Sequence, residues 1–454
     1  MVRDFRKGMP GLLLLAFMLW GSLRPATALP AFARKYGLPC SACHEAWPML
    51  NVFGQTFKDN GYQLMNDRDA PIWQNPGYWP VTFRITPNWH REQINKAAVD
   101  TTAGGPNGAV VNLVSNGFDT SGLDFHTGGT LAKNISFYVL PSSNSAGAFH
   151  FETVMGRLDN LLGSSWLNLK LGKFELDNMI SEKRILTISN NGGLYQLYHF
   201  IPVGDNNPWA QIGDNQFGME LMGHSQNDHT RYSIALLSSN DGQVNLPNRN
   251  AYSTFITASQ AFNMGYDGGV NRVGAYLFVG DAPTFNLTSG GTPILGVGNK
   301  GFHREGLFGL LYAKKLDFQL YYQHGWDSAF FGTSTPANGT LPAGARSPTW
   351  NGGFVETHYV YSPQLIFIQR SEFIRMSNQA LPLCSTGASP CVASSSVGNI
   401  DAYTFGYRWY PIMNSRAGFA WHNEYTILRR QGVAPISGTS LTMTSVFAGF
   451  DIDF

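Results

Sequence analysis

Charge is scarce in this chain. Of 454 residues only 13% are Asp, Glu, Lys or Arg, where soluble domains carry about 25%. The 31 basic and 30 acidic residues leave a net charge of +1, which suggests neither nucleic acid nor an acidic polymer as a partner. After the first 28 residues no apolar run approaches the ~20 residues that a membrane-spanning helix needs. No catalytic triad or helix-borne metal motif stands out. Gly104-Gly105 and Gly290-Gly291 lie in turn-rich stretches without a following helix, so neither is a phosphate cradle. There are only four cysteines, and one Cys-x-x-Cys has no second copy to complete a zinc site.

Glycine and aromatic residues are abundant, at 50 residues and 13%. With so little charge, they favour a sheet-rich protein whose outer surface faces something other than water. Residues 1–28 read as a secretory signal peptide: Arg3, Arg6 and Lys7, an apolar core from Leu12 to Leu19, then Ala26-Thr27-Ala28. From about Trp79 onward the chain breaks into segments of roughly ten alternating residues, the pattern of a transmembrane barrel. Leu316, Phe318, Leu320 and Tyr322 alternate with Asp317, Gln319, Tyr321 and Gln323. Tyr403, Phe405, Tyr407 and Trp409 alternate with Ala402, Thr404, Gly406 and Arg408. The last segment sets Val446, Ala448, Phe450, Ile452 and Phe454 against Gly449, Asp451 and Asp453.

A soluble sandwich would alternate too, but barrels join their strands by short turns at one end and long loops at the other. Short links read near Ala132 to Asn134, Ala313 to Leu316, Tyr361 to Gln364 and Pro411 to Ser415. Long ones read near Asn95 to Phe118, Met179 to Gly213, Asp281 to Gly301, Asp327 to Asn351 and Ser377 to Asn399. The expected fold is all-β: a roughly 16-stranded antiparallel transmembrane β-barrel over 71–454, behind a short helical plug over 29–70. Both termini are expected on the short-turn, periplasmic side of a bacterial outer membrane.

Inside the plug stands Cys40-Ser41-Ala42-Cys43-His44. Two thiols at this spacing can add to the two vinyl groups of one haem, and the histidine that follows can coordinate its iron. A disulfide, or a zinc or redox pair beside a coincidental histidine, competes with this reading. Beyond His44, the spacing of Leu50, Phe53, Gly54 and Phe57 predicts a short helix with Pro48 in its first turn and Gly61 at its end. Cys384 and Cys391 flank a small polar loop, where a disulfide is the expectation and a metal site the alternative.

Phe32-Ala33-Arg34, Cys40 to His44, Pro48, Leu50, Phe53-Gly54, Phe57 and Gly61-Tyr62 together resemble the N-terminal cytochrome segment of the fused cytochrome-porin family, outer-membrane proteins that oxidise ferrous iron outside the cell. The resemblance covers about forty residues. It implies one covalent haem c on Cys40 and Cys43 with His44 as proximal ligand. It also implies an oxidoreductase taking electrons from extracellular Fe(II) or another donor and passing them to a periplasmic c-type cytochrome or other soluble carrier. The alternative is a solute porin whose haem-bearing segment gates or caps the pore. For the distal ligand, Met65 has ample reach and His90 lies on the strand directly after the plug. His90, His126, His150, His224 and His422 all fall on the polar, lumen-side parity of their strands.

Overall fold

The computed structural model describes residues 31–46, 49–65, 69–74, 81–99, 109–143, 147–177, 197, 211–213, 215–238, 251–262, 270–287, 293–331, 345–376, 391–392, 399–413, 418–431 and 440–453. The expected signal segment lies outside them.

Helices α1 (Ala31–Tyr36) and α2 (Cys40–Cys43) open the described chain. A small hairpin follows, β1 (His44–Ala46) with β2 (Met49–Leu50), and then α3 (Val52–Asp59). This is the plug. Helix α3 starts later than the sequence spacing predicts. Asn51 caps it, its side chain accepting from the Gly54 N–H at 2.9 Å, so Leu50 falls in β2 instead of the first turn; Pro48 lies outside the described residues. The end is as expected, with Gly61 at φ +71°, a left-handed conformation that suits glycine.

Sixteen strands then close into one antiparallel barrel. The first eight are β3 (Val81–Val99), β4 (Ala109–Ala132), β5 (Ile135–Ser143), β6 (Phe149–Leu158), β7 (Asn168–Phe174), β8 (Gln216–His224), β9 (Thr230–Ser238) and β10 (Tyr252–Phe262). Next come β11 (Asn271–Leu287), β12 (Pro293–Ala313) and β13 (Leu316–Asp327), the short β14 (Ala345–Arg346), β15 (Thr349–Ser362) and β16 (Leu365–Met376). The short β17 (Cys391–Val392), β18 (Asn399–Met413), β19 (Gly418–Gln431) and β20 (Ser440–Asp453) complete the chain. Strands β14 and β17 pair with each other outside the barrel. Each barrel strand pairs with the next in sequence, and β20 pairs with β3, as in Phe447 opposite His90 and Ile452 opposite Ile85. Closure leaves no strand edge unpaired, the condition for a sheet in lipid.

The wall is apolar outside and polar inside, the reverse of a water-soluble protein. On β13, Leu316, Leu320 and Tyr322 are exposed while Asp317, Gln319 and Gln323 are buried. On β18, Phe405 is 51% exposed and Arg408 is 0% exposed. Removing apolar surface from water is worth about 25 cal/mol per Å², so so many outward rings and aliphatic chains require a hydrocarbon surrounding. Inward charges are paired across strands: Arg304 with Asp327 at 2.8 Å, Arg370 with Glu356 at 3.0 Å and Arg84 with Asp451 at 3.3 Å.

Several of the short links read from the sequence are present, although the alternation is not strict: the 159–167 link between β6 and β7 is longer than the 144–148 link between β5 and β6. Residues 133–134, 314–315 and 363–364 are two-residue links, and Asn134 and Lys314 take the positive φ that tight hairpin turns need. Two long-loop expectations are corrected, while the long link expected over 179–213 stands between β7 and β8. Residues 95–118 are mostly strand, since β3 and β4 stay paired out to Val99 opposite Ala109. Residues 281–301 are likewise mostly the arms of the β11–β12 hairpin, paired out to Leu287 opposite Pro293. Both hairpins run on past the segments with alternating polarity, because ladder hydrogen bonds need no apolar face. Within 179–213, Leu197 lies inside the barrel, its N–H donating to Glu372 Oε1 at 2.8 Å. It shares a buried cluster with the inward-facing Phe278, Trp350 and Ile374, so Leu197 contributes to filling the lumen.

Candidate functional site

The Cys-x-x-Cys-His stretch forms one helical turn and then straightens. His44 is extended at φ −121°, ψ 140°, with its backbone N–H donating to the Cys40 carbonyl. Asn51 fastens this turn to α3. Its Nδ2 donates to the carbonyls of Ser41 at 3.2 Å and Ala42 at 3.0 Å, and its backbone N–H donates to the Cys43 carbonyl at 2.9 Å. Gly54 lies directly beneath: a Cβ there would stand 2.0 Å from the Cys43 oxygen. Aromatic rings hold the other side, with Phe32 stacked on Tyr62 at 4.8 Å and edge-on to Phe57 at 5.4 Å. Asn51→Ala removes the cap and both side-chain donors. It is expected to destabilise the plug by about 1–2 kcal/mol, seen as faster amide exchange of Gly54 with the barrel unchanged.

The plug is gripped mostly by wall groups at the short-turn end of the barrel, with Glu175 at the other end of the short strand β7. Arg157, at the end of β6, donates to the last carbonyls of α3, Lys58 at 2.6 Å and Asp59 at 2.9 Å, and pairs with Asp159 at 2.6 Å. Asp59 pairs with Arg231 at the start of β9, and Thr56 donates to Asp228 in the β8–β9 turn at 3.1 Å. Lys58 meets Glu175 at 2.8 Å, just beyond β7. None of these anchors stood out in the sequence, because each depends on a partner roughly a hundred or more residues away.

Between plug and wall lies a partly open, mainly apolar cavity of about 200 Å³. Cys40, Cys43 and His44 face it from the plug. Met413, Asp453, Thr82, His126, Tyr138 and Phe174 face it from β18, β20, β3, β4, β5 and β7. The arc is continuous, since β18, β19, β20, β3 and the strands on to β7 are successive neighbours in the barrel. Gly128 keeps the wall low here: a Cβ on it would come within 2.8 Å of the Tyr138 ring and 3.1 Å of Phe32.

These residues fit a covalently attached haem. The two cysteines are thiols, not a disulfide. Burial pushes both thiols up to about 11, with the Asp453 charge adding to the effect at Cys40. A thioether to a vinyl carbon carries no charge and suits an apolar wall. Cys40 and Cys43 would hold the porphyrin and His44 would face its iron, supplying a one-electron carrier when bound.

The structure does not bring the other predicted ligands into this cavity. Met65 is 53% exposed and does not line it. His90 is on β3, as expected, but its Nε2 lies 2.8 Å from Ser445 Oγ and 3.4 Å from Glu92. His126, His224 and His422 are buried on the lumen side, as their parity implied, while His150 is exposed. Cys384 and the Cys391 side chain fall outside the described residues, and so does the disulfide expected between them.

Among the described residues one His/carboxylate group has the composition of a metal site: Glu45, Asp317 and His358. Its geometry argues for a clamp instead. His358 Nδ1 lies 2.5 Å from Asp317 and Nε2 lies 2.6 Å from Glu356, so both ring nitrogens already serve carboxylates. Burial and the neighbouring Asp317 charge push the Glu45 carboxyl well above the usual range, and its hydrogen bond with Asp317 ties the plug hairpin to β13.

No protein-family model and no curated protein sequence matches this chain. Solved barrels resemble it in form. Outer-membrane-expressed OmpT of Vibrio cholerae aligns at 9% identity with a TM-score of 0.49, covering 84% of this chain and 99% of that one. The outer membrane channel DcaP of Acinetobacter baumannii aligns at 11% identity and 0.48, covering 83% and 97%. OprB of Pseudomonas putida aligns at 9% and 0.44, covering 82% and 94%. Such values speak of barrel form alone, and the fold rests on its own closed pairing. Fold and site together define a porin-like, sixteen-stranded transmembrane barrel. One end is held by an N-terminal segment that presents Cys-x-x-Cys-His to a cavity against the wall.

Proposed function

We propose that this protein is an outer-membrane electron conduit. A single haem c on Cys40 and Cys43, ligated by His44, accepts electrons one at a time from an extracellular donor, Fe(II) by the family resemblance, and passes them to a periplasmic c-type cytochrome. The observation that carries the reading is the pairing of a haem-attachment turn with an apolar cavity at the barrel's short-turn end. In bacterial barrels short turns face the periplasm, so the haem edge would be within reach of a soluble carrier there. The donor would come from the long-loop side. Burial of the plug's ion pairs argues for a fixed seat rather than a gate that swings.

A solute porin with a haem-bearing cap is the second reading, favoured by the charged, hydrogen-bonding inner wall. Planar-bilayer conductance separates the two, since a conduit passes little current and a porin much.

The deciding experiment is a spectrally monitored titration of the detergent-extracted, haem-stained protein with ferrous iron. The expected result is stoichiometric haem reduction, with Cys40→Ala/Cys43→Ala carrying no covalent haem and showing no spectral change. Haem that stays oxidised with Fe(II) and every other extracellular donor overturns the proposal.

A further inference from the structure

We infer that His126, on the barrel wall, is the second axial ligand of the haem iron; the inference rests on the haem-bearing reading above and adds a residue to it. His126 lies near the short-turn end of β4 and is 8% exposed. It lines the same cavity as Cys40, Cys43 and His44, but from the wall instead of the plug. A second protein ligand would have to come from a residue that lines this cavity from the wall, as His126 does.

The other nitrogen and sulfur donors that line the cavity from the wall are Lys170, Met155 and Met413. Lys170 is paired with Glu220. Met155 is packed into the aromatic cluster of Phe57, Tyr62 and Phe174. Met413 packs against the separate cluster around Met49, Ile366 and Ile368.

His126 also has the support that a ligating imidazole needs. Its Nδ1 lies 2.6 Å from the Tyr138 hydroxyl on the neighbouring strand. When Nδ1 carries the proton and donates to that oxygen, Nε2 keeps its lone pair, the arrangement by which second-shell partners fix tautomer and ring angle in metal sites. Tyr138 is held in turn, stacked on Tyr62 of the plug at 5.8 Å. Gly128, two residues along the same face of β4, has no side chain to crowd the space beside the ring. Iron bound between His44 and His126 would join plug to barrel, so cofactor loading and plug docking would be one event.

The test uses the full-length, haem-loaded protein in detergent, with heat-modifiable gel mobility confirming an assembled barrel. The wild type is expected to show a six-coordinate, low-spin spectrum. His126→Ala is expected to retain covalent haem but turn high-spin, and added imidazole should restore the low-spin form. His126→Met keeps the site filled and is expected to stay low-spin with a raised potential, as thioether ligation gives. Tyr138→Phe should let imidazole or cyanide displace the ligand roughly 10- to 100-fold more readily. Met155→Leu and Met413→Leu should leave the spectrum as it is. An unaltered spectrum in His126→Ala, an unaltered potential in His126→Met, or loss of the low-spin form in either methionine variant overturns the assignment while leaving the haem reading standing. A wild-type protein without haem overturns both.

Discussion

Arg157→Met is expected to lower amide-exchange protection across α3 by roughly two to three powers of ten, while the barrel strands keep theirs. Arg157 is 2% exposed and does three things at once at the end of that helix. It donates to the Lys58 and Asp59 carbonyls, which have no partner within the helix, and it balances Asp159. Cations favour helix C-termini through the helix dipole, and removing one member of a buried ion pair costs about 3–5 kcal/mol, because the remaining charge stays desolvated. At about 1.4 kcal/mol per tenfold, that sets the size of the effect. Methionine keeps most of the bulk, so lost packing does not explain the outcome. The control is Arg375→Met. Its pair with Asp401 is partly exposed, at 44% and 24% of the two side chains, and pairs of that kind contribute about 0–1 kcal/mol. Equal protection in Arg157→Met and the wild type would show that the plug does not depend on this anchor.

The same residue shows where reading from sequence stops. Alternation such as Leu316 to Gln323 fixes which side chains face lipid, because a strand has only two faces. Tight turns such as Lys133-Asn134 mark the short-turn end, and the strand count follows. The Cys-x-x-Cys-His motif stands out in the sequence because its five residues are contiguous. Of the aromatic residues that carry the family resemblance, Phe32, Phe57 and Tyr62 pack against one another, while Phe53 is exposed. What could not be read is everything set by ring closure. Arg157, Arg231 and Asp228 converge on one plug helix only after sixteen strands have been placed in register, and nothing local distinguishes them from other polar lumen residues. The ligand question has the same origin. Met65 and His90 were chosen for closeness along the chain, whereas His126 was one lumen-side histidine among several until its cavity was in view. The β3–β4 and β11–β12 hairpins were read as loops for a related reason: their arms pair with each other through the backbone, and residues 111–120 are exposed on both faces, so no period marks them.

On the haem-bearing function proposed above, Gly54→Ala is expected to reduce covalent haem severalfold in a barrel that still assembles. The added methyl carbon would sit 2.0 Å from the Cys43 oxygen and 2.9 Å from its Cα, closer than non-bonded atoms approach. The obstacle is backbone, so no side-chain rotation relieves it. Either α3 or the Cys40–Cys43 turn must move away. Either shift stretches the Asn51 contacts that lock the two together, and overpacking of this kind costs about 1–3 kcal/mol. Attachment needs both thiols and His44 presented to one porphyrin, so a displaced turn loses haem even where the helix survives. Gly309→Ala is the matching control. That glycine lies in β12, and a Cβ there would meet nothing nearer than 3.8 Å, so haem content and barrel stability should both hold. Haem staining normalised to folded barrel measures the outcome. Full haem content in Gly54→Ala would mean that the turn tolerates displacement, and that the close contact between α3 and Cys43 does not set the geometry of attachment.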